Sequence, residues 1–252
     1  MDNLRTVSIE SAEELEGLRR AGHVVAIVLR ELRRRVAPGV TTAELDALAG
    51  RVFRRHGARS APKLVYGAPC EVFISVNDQA VHGVPGRRRL RRGDLVKIDV
   101  TAELDGFMAD ACVTVPVGPV SPTARRVVGA AHAALARALP LAVPGACVRD
   151  ISGAVSDEAA AHGVSVLDGL GGHGIGRTIH EEPSVPNAPD PHDDTRLSDG
   201  LVITIEPILG AGGPGIREGG DGWTIRTADG APAAHVEHTI VVAAGRPLVL
   251  TA

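Results

Sequence analysis

Cysteine is scarce in this chain: Cys70, Cys112 and Cys147 are widely spaced and none belongs to a CxxC pair. That excludes a disulfide framework and points to a reducing compartment. Long apolar runs are also missing. Nowhere do about eighteen apolar residues occur together, and the opening "MDNLRTVSIE" has no apolar stretch of signal-peptide length. The expected location is therefore the cytoplasm, with no membrane association. A charge excess of one sign is absent as well, the formal net charge being −3 in 252 residues. With 44% hydrophobic and 23% charged residues, the chain reads as folded and globular, neither a disordered tail nor a basic DNA-binding protein.

What is present is a repeated plan. "SAEELEGLRRAGHVVAIVLRELRRRVAPG" opens on a Ser cap with early glutamates, keeps apolar residues at helical spacing and stops at Pro38-Gly39. "AELDALAGRVFRRHG" gives a second helix ending at Gly57 with basic residues in its last turn. The scheme of helix, Pro-Gly, helix, His-Gly recurs in "SPTARRVVGAAHAALARALPLAVPG" and "ACVRDISGAVSDEAAAHG". Pro38 and Pro144 are 106 positions apart, as are Gly57 and Gly163. A duplicated unit follows, with halves at roughly 12–118 and 121–252 inside a single domain spanning 1–252.

Strand-like runs follow each helix pair: "CEVFISVN" and "DLVKIDVTAELDGFMADACVTVPV", then "GLVITIEPIL" and "AHVEHTIVVAAG". The expected fold class is α+β, with two similar halves sharing one largely antiparallel sheet. "PSVPNAPDPHDD" and "LGAGGPGIREGGDG" read as loops.

Asp105-Gly106 between two β-prone runs is a hairpin signal. Pairing about it sets Asp99 opposite Cys112 and Thr101 opposite Asp110, with all four side chains on one face. Two carboxylates placed so repel unless a cation lies between them; a bulge in the ladder would instead turn one of them away. Glu206 in "LVITIEPIL" and Glu237 in "HVEHTIVV" are carboxylates within apolar runs, where an unpaired charge is costly. Four such carboxylates with one imidazole suit a pair of divalent ions. His173, between glycines that let the backbone approach closely, is the best imidazole candidate; the alternative is an ordinary loop histidine.

Seven segments in order, "SVNDQAVHGVP", "DLVKIDVT", "DGFMADACVT", "GGHGIGRTIHEEP", "ITIEPIL", "DGWTIRT" and "EHTIVV", resemble the type I methionine aminopeptidases of the pita-bread metallopeptidase family. The resemblance runs from the first helix to residue 252. It implies a pita-bread fold, two pseudo-symmetric halves with helix pairs on a curved sheet, and removal of the initiator methionine from nascent polypeptide N-termini. It also implies two divalent metal ions, cobalt, manganese, iron or zinc, held by Asp99, Asp110, His173, Glu206 and Glu237. Glu206 then assists as a base, His82 contacts the nitrogen side of the scissile bond, and His180 donates to its carbonyl oxygen. Glu181-Glu182-Pro183 is the loop that follows His180.

The match departs at the substrate pocket. Val65, Ala68 and Phe73 stand where the family carries tyrosine, tyrosine and cysteine, and Ile179 stands where phenylalanine is common. Trp223 agrees. Cys70, three residues before Phe73, is expected on the opposite strand face, and none of the cysteines receives a catalytic role. The basic run "GRRRLRRGD" at 86–94 reads as a solvated turn or a weak ribosomal RNA contact. Proline-specific relatives and creatinase-like enzymes carry an extra N-terminal domain for which 252 residues leave no room, and a Cys-rich zinc-binding extension is absent too. A non-catalytic binding protein of the same fold should have lost ligands, and none is lost here. A monomer is expected, and the competing enzymatic reading is a paralogue with altered first-residue preference.

Overall fold

The computed structural model describes residues 9–252. Helix α1, Ala12–Arg35, begins where the Ser11 side chain accepts the Glu14 backbone N–H, with Glu13 and Glu14 in its first turn and three arginines in its last. Both ends suit the helix dipole. Leu18, Ala21, Val25, Val28 and Leu32 recur at helical spacing along it and are buried. Helix α2, Thr42–Arg55, starts in a reciprocal capping box between Thr41 and Glu44. Next come strand β1, Arg59–Ser60, and a short helix α3, Ala61–Tyr66, that the sequence reading missed; Gly67 stops it at φ 68°. Strands β2, Phe73–Val76, β3, Gln79–Val81, β4, Leu95–Leu104, and β5, Phe107–Pro116, complete this half.

The second half opens with α4, Pro122–Ala138, and α5, Val148–Ala161. Helix α4 ends short of the expected stop at Pro144, because Pro140 has no N–H to continue the helical ladder; Leu139–Leu141 form a single 3₁₀ turn instead. Strands β6, Ser165–Val166, β7, Gly171–Gly174, β8, Glu181–Pro186, β9, Val202–Ile205, and β10, Ile208–Gly210, follow. The last are β11, Ile216–Glu218, β12, Ile225–Thr227, β13, Ala233–His235, β14, His238–Val241, and β15, Leu248–Val249. Two segments expected as loops therefore contain strands: β8 takes in Pro183–Pro186, and β11 lies inside "LGAGGPGIREGGDG".

All strand pairs among the described residues are antiparallel. The single shared sheet is not observed. The strands form a four-stranded sheet around β4, two three-stranded sheets, and a five-stranded sheet in the order β15-β14-β9-β7-β8. The division has a local cause. The runs expected as continuous strands break at Glu206-Pro207 and at Val236-Glu237, so β9 pairs β14 in one sheet while β10 pairs β13 in another.

Helices α1 and α2 bury one apolar cluster against the β4–β5 hairpin, and α4 and α5 bury a second against β9, β10, β13 and β14. Between the clusters the halves are joined by direct bonds. The Glu237 N–H donates to Cys112 O at 2.9 Å, and the Thr239 hydroxyl donates to Asp110 O at 2.7 Å. Buried Lys97 on β4 donates to the Asn77 and Ala233 carbonyls at 2.7 and 3.1 Å.

Candidate active site

The β4–β5 hairpin has the expected register without a bulge, Asp99 facing Cys112 and Thr101 facing Asp110. Asp105 and Gly106 close it with φ of 53° and 82°, the left-handed pair that a two-residue turn of this kind requires. Both aspartates line a cavity of about 160 Å³ together with His173, Glu206, Glu237, His82, His180, Phe73, Ile179 and Trp223. Thr101 fixes Asp110, its hydroxyl donating to Oδ2 at 2.8 Å. The other oxygen, Oδ1, is buried with no hydrogen-bond partner, as is Glu237 Oε1.

Thr204 ties the second half of the site together. Its hydroxyl donates to Glu206 Oε1 at 3.0 Å and accepts the His173 backbone N–H at 3.1 Å. The His173 ring lies with Nδ1 2.9 Å from the Gly174 carbonyl and Nε2 3.5 Å from Glu206 Oε1. A ring N–H given to a carbonyl leaves the other nitrogen with its lone pair toward the carboxylates. The glycines around His173 are also required by their neighbours. A Cβ on Gly172 would run into the Thr204 carbonyl and one on Gly174 into the Glu182 carbonyl, so both admit neighbouring backbone.

Two groups of three donor atoms each fall within 4.8 Å: Asp110, His173 and Glu237, and Glu206, His235 and Glu237. Glu237 belongs to both. Burial, with the charges of Asp110 and Glu206 next, raises Asp99 well above the ordinary carboxylate range. Burial followed by Asp110 raises Glu237 likewise, and burial lifts Glu206 to about 7. Carboxylates crowded out of water in this way favour a positive charge among them. Buried oxygens without donors, carboxylate clustering and a lone-pair imidazole together fit a divalent cation.

His180 follows a loop held by buried Glu181, whose Oε1 accepts the N–H groups of Arg177 and Thr178 at 2.7 and 2.8 Å. Glu181 thus opens strand β8 and is not part of a loop. His180 Nδ1 lies 2.6 Å from the Tyr66 hydroxyl, and its ring meets that of His173 edge-on with centroids 4.3 Å apart. His82 has a left-handed backbone, φ 54°, a strained state for a residue with a Cβ and one that collects at functional positions. Burial brings His82 and His180 down to about 4, so both are neutral at neutral pH.

The apolar wall differs from expectation. Val65 is 37% exposed and does not line the cavity; the turn of α3 presents Tyr66 there in its place. Ala68 backs the wall from a small cluster with Phe73, Trp223 and Cys70. Strand alternation misplaced Cys70 because β2 begins only at Phe73. The Phe73 ring lies 5.0 Å from that of His82 and 5.7 Å from that of Trp223.

Sequence reasoning also missed His235, 2% exposed beside Glu206 and Glu237. The available signal was its position two residues before Glu237, the strand period for a shared face.

Residues 16–244 match metallopeptidase family M24. The chain is 39% identical over 245 residues to methionine aminopeptidase 2 of Bacillus subtilis, covering 96% of this chain and 98% of that protein. It is 38% identical to the methionine aminopeptidase of Aquifex aeolicus, covering 97% and 98%. A solved methionine aminopeptidase from Thermotoga maritima superimposes with a TM-score of 0.94 at 32% identity, over 97% of this chain and 99% of the other. Prolidase from Pyrococcus furiosus gives 0.79 at 23% identity, over 99% of this chain and 66% of the other, a likeness of fold alone. The α+β architecture is that of the pita-bread proteins.

Proposed function

The chain belongs to metallopeptidase family M24, and from that premise we propose that it removes the initiator methionine from nascent polypeptide N-termini. One observation carries the reading: Asp99, Asp110, His173, Glu206 and Glu237 meet at one cavity that also carries His82, His180 and an apolar wall. The five would hold two divalent ions, of cobalt, manganese, iron or zinc. When bound, such ions supply Lewis acidity toward a carbonyl and bring the pKa of water toward neutrality.

The chain's own groups do the rest. Glu206, oriented by Thr204, takes the proton of the attacking water on a carboxylate oxygen and returns one to the leaving amine. The Tyr66 hydroxyl lies 2.6 Å from His180 Nδ1; in the tautomer with the phenol donating to Nδ1, the N–H sits on Nε2 and donates to the carbonyl oxygen as it gains charge. A neutral imidazole fits that task, since it donates without adding a charge to the resting cavity. His82 stands on the amine side of the scissile bond. Phe73, Ile179 and Trp223 keep water from the first side chain.

On this reading the protein acts as a cytoplasmic monomer. The exposed Arg87, Arg88, Arg89, Arg91 and Arg92 offer weak, salt-sensitive contact to ribosomal RNA. A second reading, a changed first-residue preference, rests on Phe73, which fills the space between His82 and Trp223.

The test compares otherwise identical peptides beginning with Met, norleucine, Leu and Ala, on enzyme reconstituted in turn with each of the four metals. Met is expected to be fastest, and a faster Leu or Ala peptide selects the second reading. Glu206→Gln should lower kcat by about 10²–10⁴-fold. Near-normal turnover in a folded, metal-loaded variant would sink the assignment.

A further inference from the structure

His235 ends strand β13 with a fixed backbone and an unsatisfied ring. Its N–H donates to the Thr114 hydroxyl at 2.9 Å, and its carbonyl accepts that same hydroxyl at 2.7 Å. The ring is 2% exposed, and both of its nitrogens are buried without a hydrogen-bond partner. Nε2 lies 3.3 Å from Glu206 Oε2 and 3.6 Å from Glu237 Oε2.

These separations are too long for good N–H···O bonds. They suit donor atoms arranged around one ion instead. Ligands about 2.0–2.2 Å from a common centre, between octahedral and tetrahedral angles, sit about 2.8–3.6 Å from each other. The same spacing holds on the opposite side of Glu206, where His173 Nε2 is 3.5 Å from Oε1. Each oxygen of Glu206 therefore faces an imidazole nitrogen, and only one of those two imidazoles belongs to the five-residue set.

We propose that His235 is a sixth donor of the centre, an imidazole ligand through Nε2 to the ion held by Glu206 and Glu237. The proposal rests on the reading of the site as a divalent-metal centre and concerns its donor set. A second nitrogen makes that set less like an all-oxygen site, which suits manganese, and more like one that favours zinc, cobalt or iron. The centre should then discriminate among metals at His235.

The experiment uses metal-free full-length protein, wild type, His235→Gln and His235→Ala, with folding checked by circular dichroism. Cobalt, zinc and manganese are titrated in turn against a competing chelator, and the visible d–d spectrum of the cobalt forms is recorded. Both variants should bind cobalt and zinc on the order of 10–100-fold more weakly, with a smaller change for manganese and an altered cobalt spectrum. X-ray absorption of cobalt-loaded wild type, which needs no variant, should count two imidazoles per chain.

A single imidazole per chain overturns the proposal. So does a His235→Gln protein with unchanged cobalt affinity and spectrum, because a glutamine amide can replace a hydrogen bond to Glu206 but is a poor substitute for an imidazole ligand. Wild-type protein that takes up neither cobalt, zinc nor manganese overturns the metal-centre reading itself.

Discussion

The site draws its four acidic side chains from two unlike places. Asp99 and Asp110 stand on an unbroken ladder of ten residue pairs, from Leu95 opposite Pro116 to Leu104 opposite Phe107. Glu206 and Glu237 stand where two paired strands leave one sheet for another, between the Ile205–His238 pair and the Ile208–His235 pair. In the hairpin, alternation alone sends both carboxylates to one face. At the break the backbone is released from the ladder, Pro207 having no N–H to give it, and the two glutamates converge with His235. A regular ladder supplies placement, whereas a break supplies convergence.

The largest expected contrast follows from the sharing of Glu237. That residue belongs to both three-donor groups, while Asp99 belongs to neither. Glu237→Gln should abolish tight binding of more than one ion per chain and lower kcat/KM by about 10³-fold or more. Asp99→Asn should cost less on both counts. Metal content after exhaustive dialysis, measured beside kcat/KM, decides the matter. Equal losses from the two variants would mean that the hairpin and the break contribute alike, and the contrast between them would fail.

A smaller effect concerns stability without metal. Burial raises Glu206 to about 7, so in metal-free protein this carboxyl is more basic folded than unfolded. A group raised in this way favours the fold below its unfolded pKa and loses that contribution as pH climbs through the folded value. Metal-free Glu206→Gln, which has no proton to lose, should therefore melt several degrees above metal-free wild type at pH 8. The gap should close as pH falls toward 5. Thermal melts at three pH values check this, and a gap that widens on acidification contradicts it.

The same two regions divide what could be read from the chain beforehand. The hairpin was legible because its signals are local: Asp-Gly between β-prone runs fixes the turn, and the turn fixes every pair. The helices were legible through the Ser11 and Thr41 caps and the Pro-Gly stops. The break was only half legible: Pro207 is a local stop beside Glu206, but that the chain also breaks opposite it, at Val236-Glu237, depends on which strands pair. His235 was lost with it. Val65 was assigned to the pocket and Tyr66 overlooked because α3, six residues long, is too short to show a period. The close strand contacts at the glycines beside His173 were not legible either. For the break and the glycines the missing information was which other segment lies alongside.

The smallest effect tests whether the ladder, rather than its turn, holds the two aspartates. Gly106 has φ 82°, and a Cβ there would meet only the end of the Arg177 side chain at 3.7 Å, an ordinary contact. Gly106→Ala therefore costs only the strained dihedral, about 1 kcal/mol, or roughly 2–4 °C in Tm. Metal affinity and kcat should stay unchanged, since ten cross-strand pairs keep Asp99 and Asp110 in register after the turn is strained. Metal titration and melts on the one variant separate the outcomes. If affinity falls with Tm, the turn sets the carboxylate geometry, and the hairpin is as locally dependent as the break it was contrasted with.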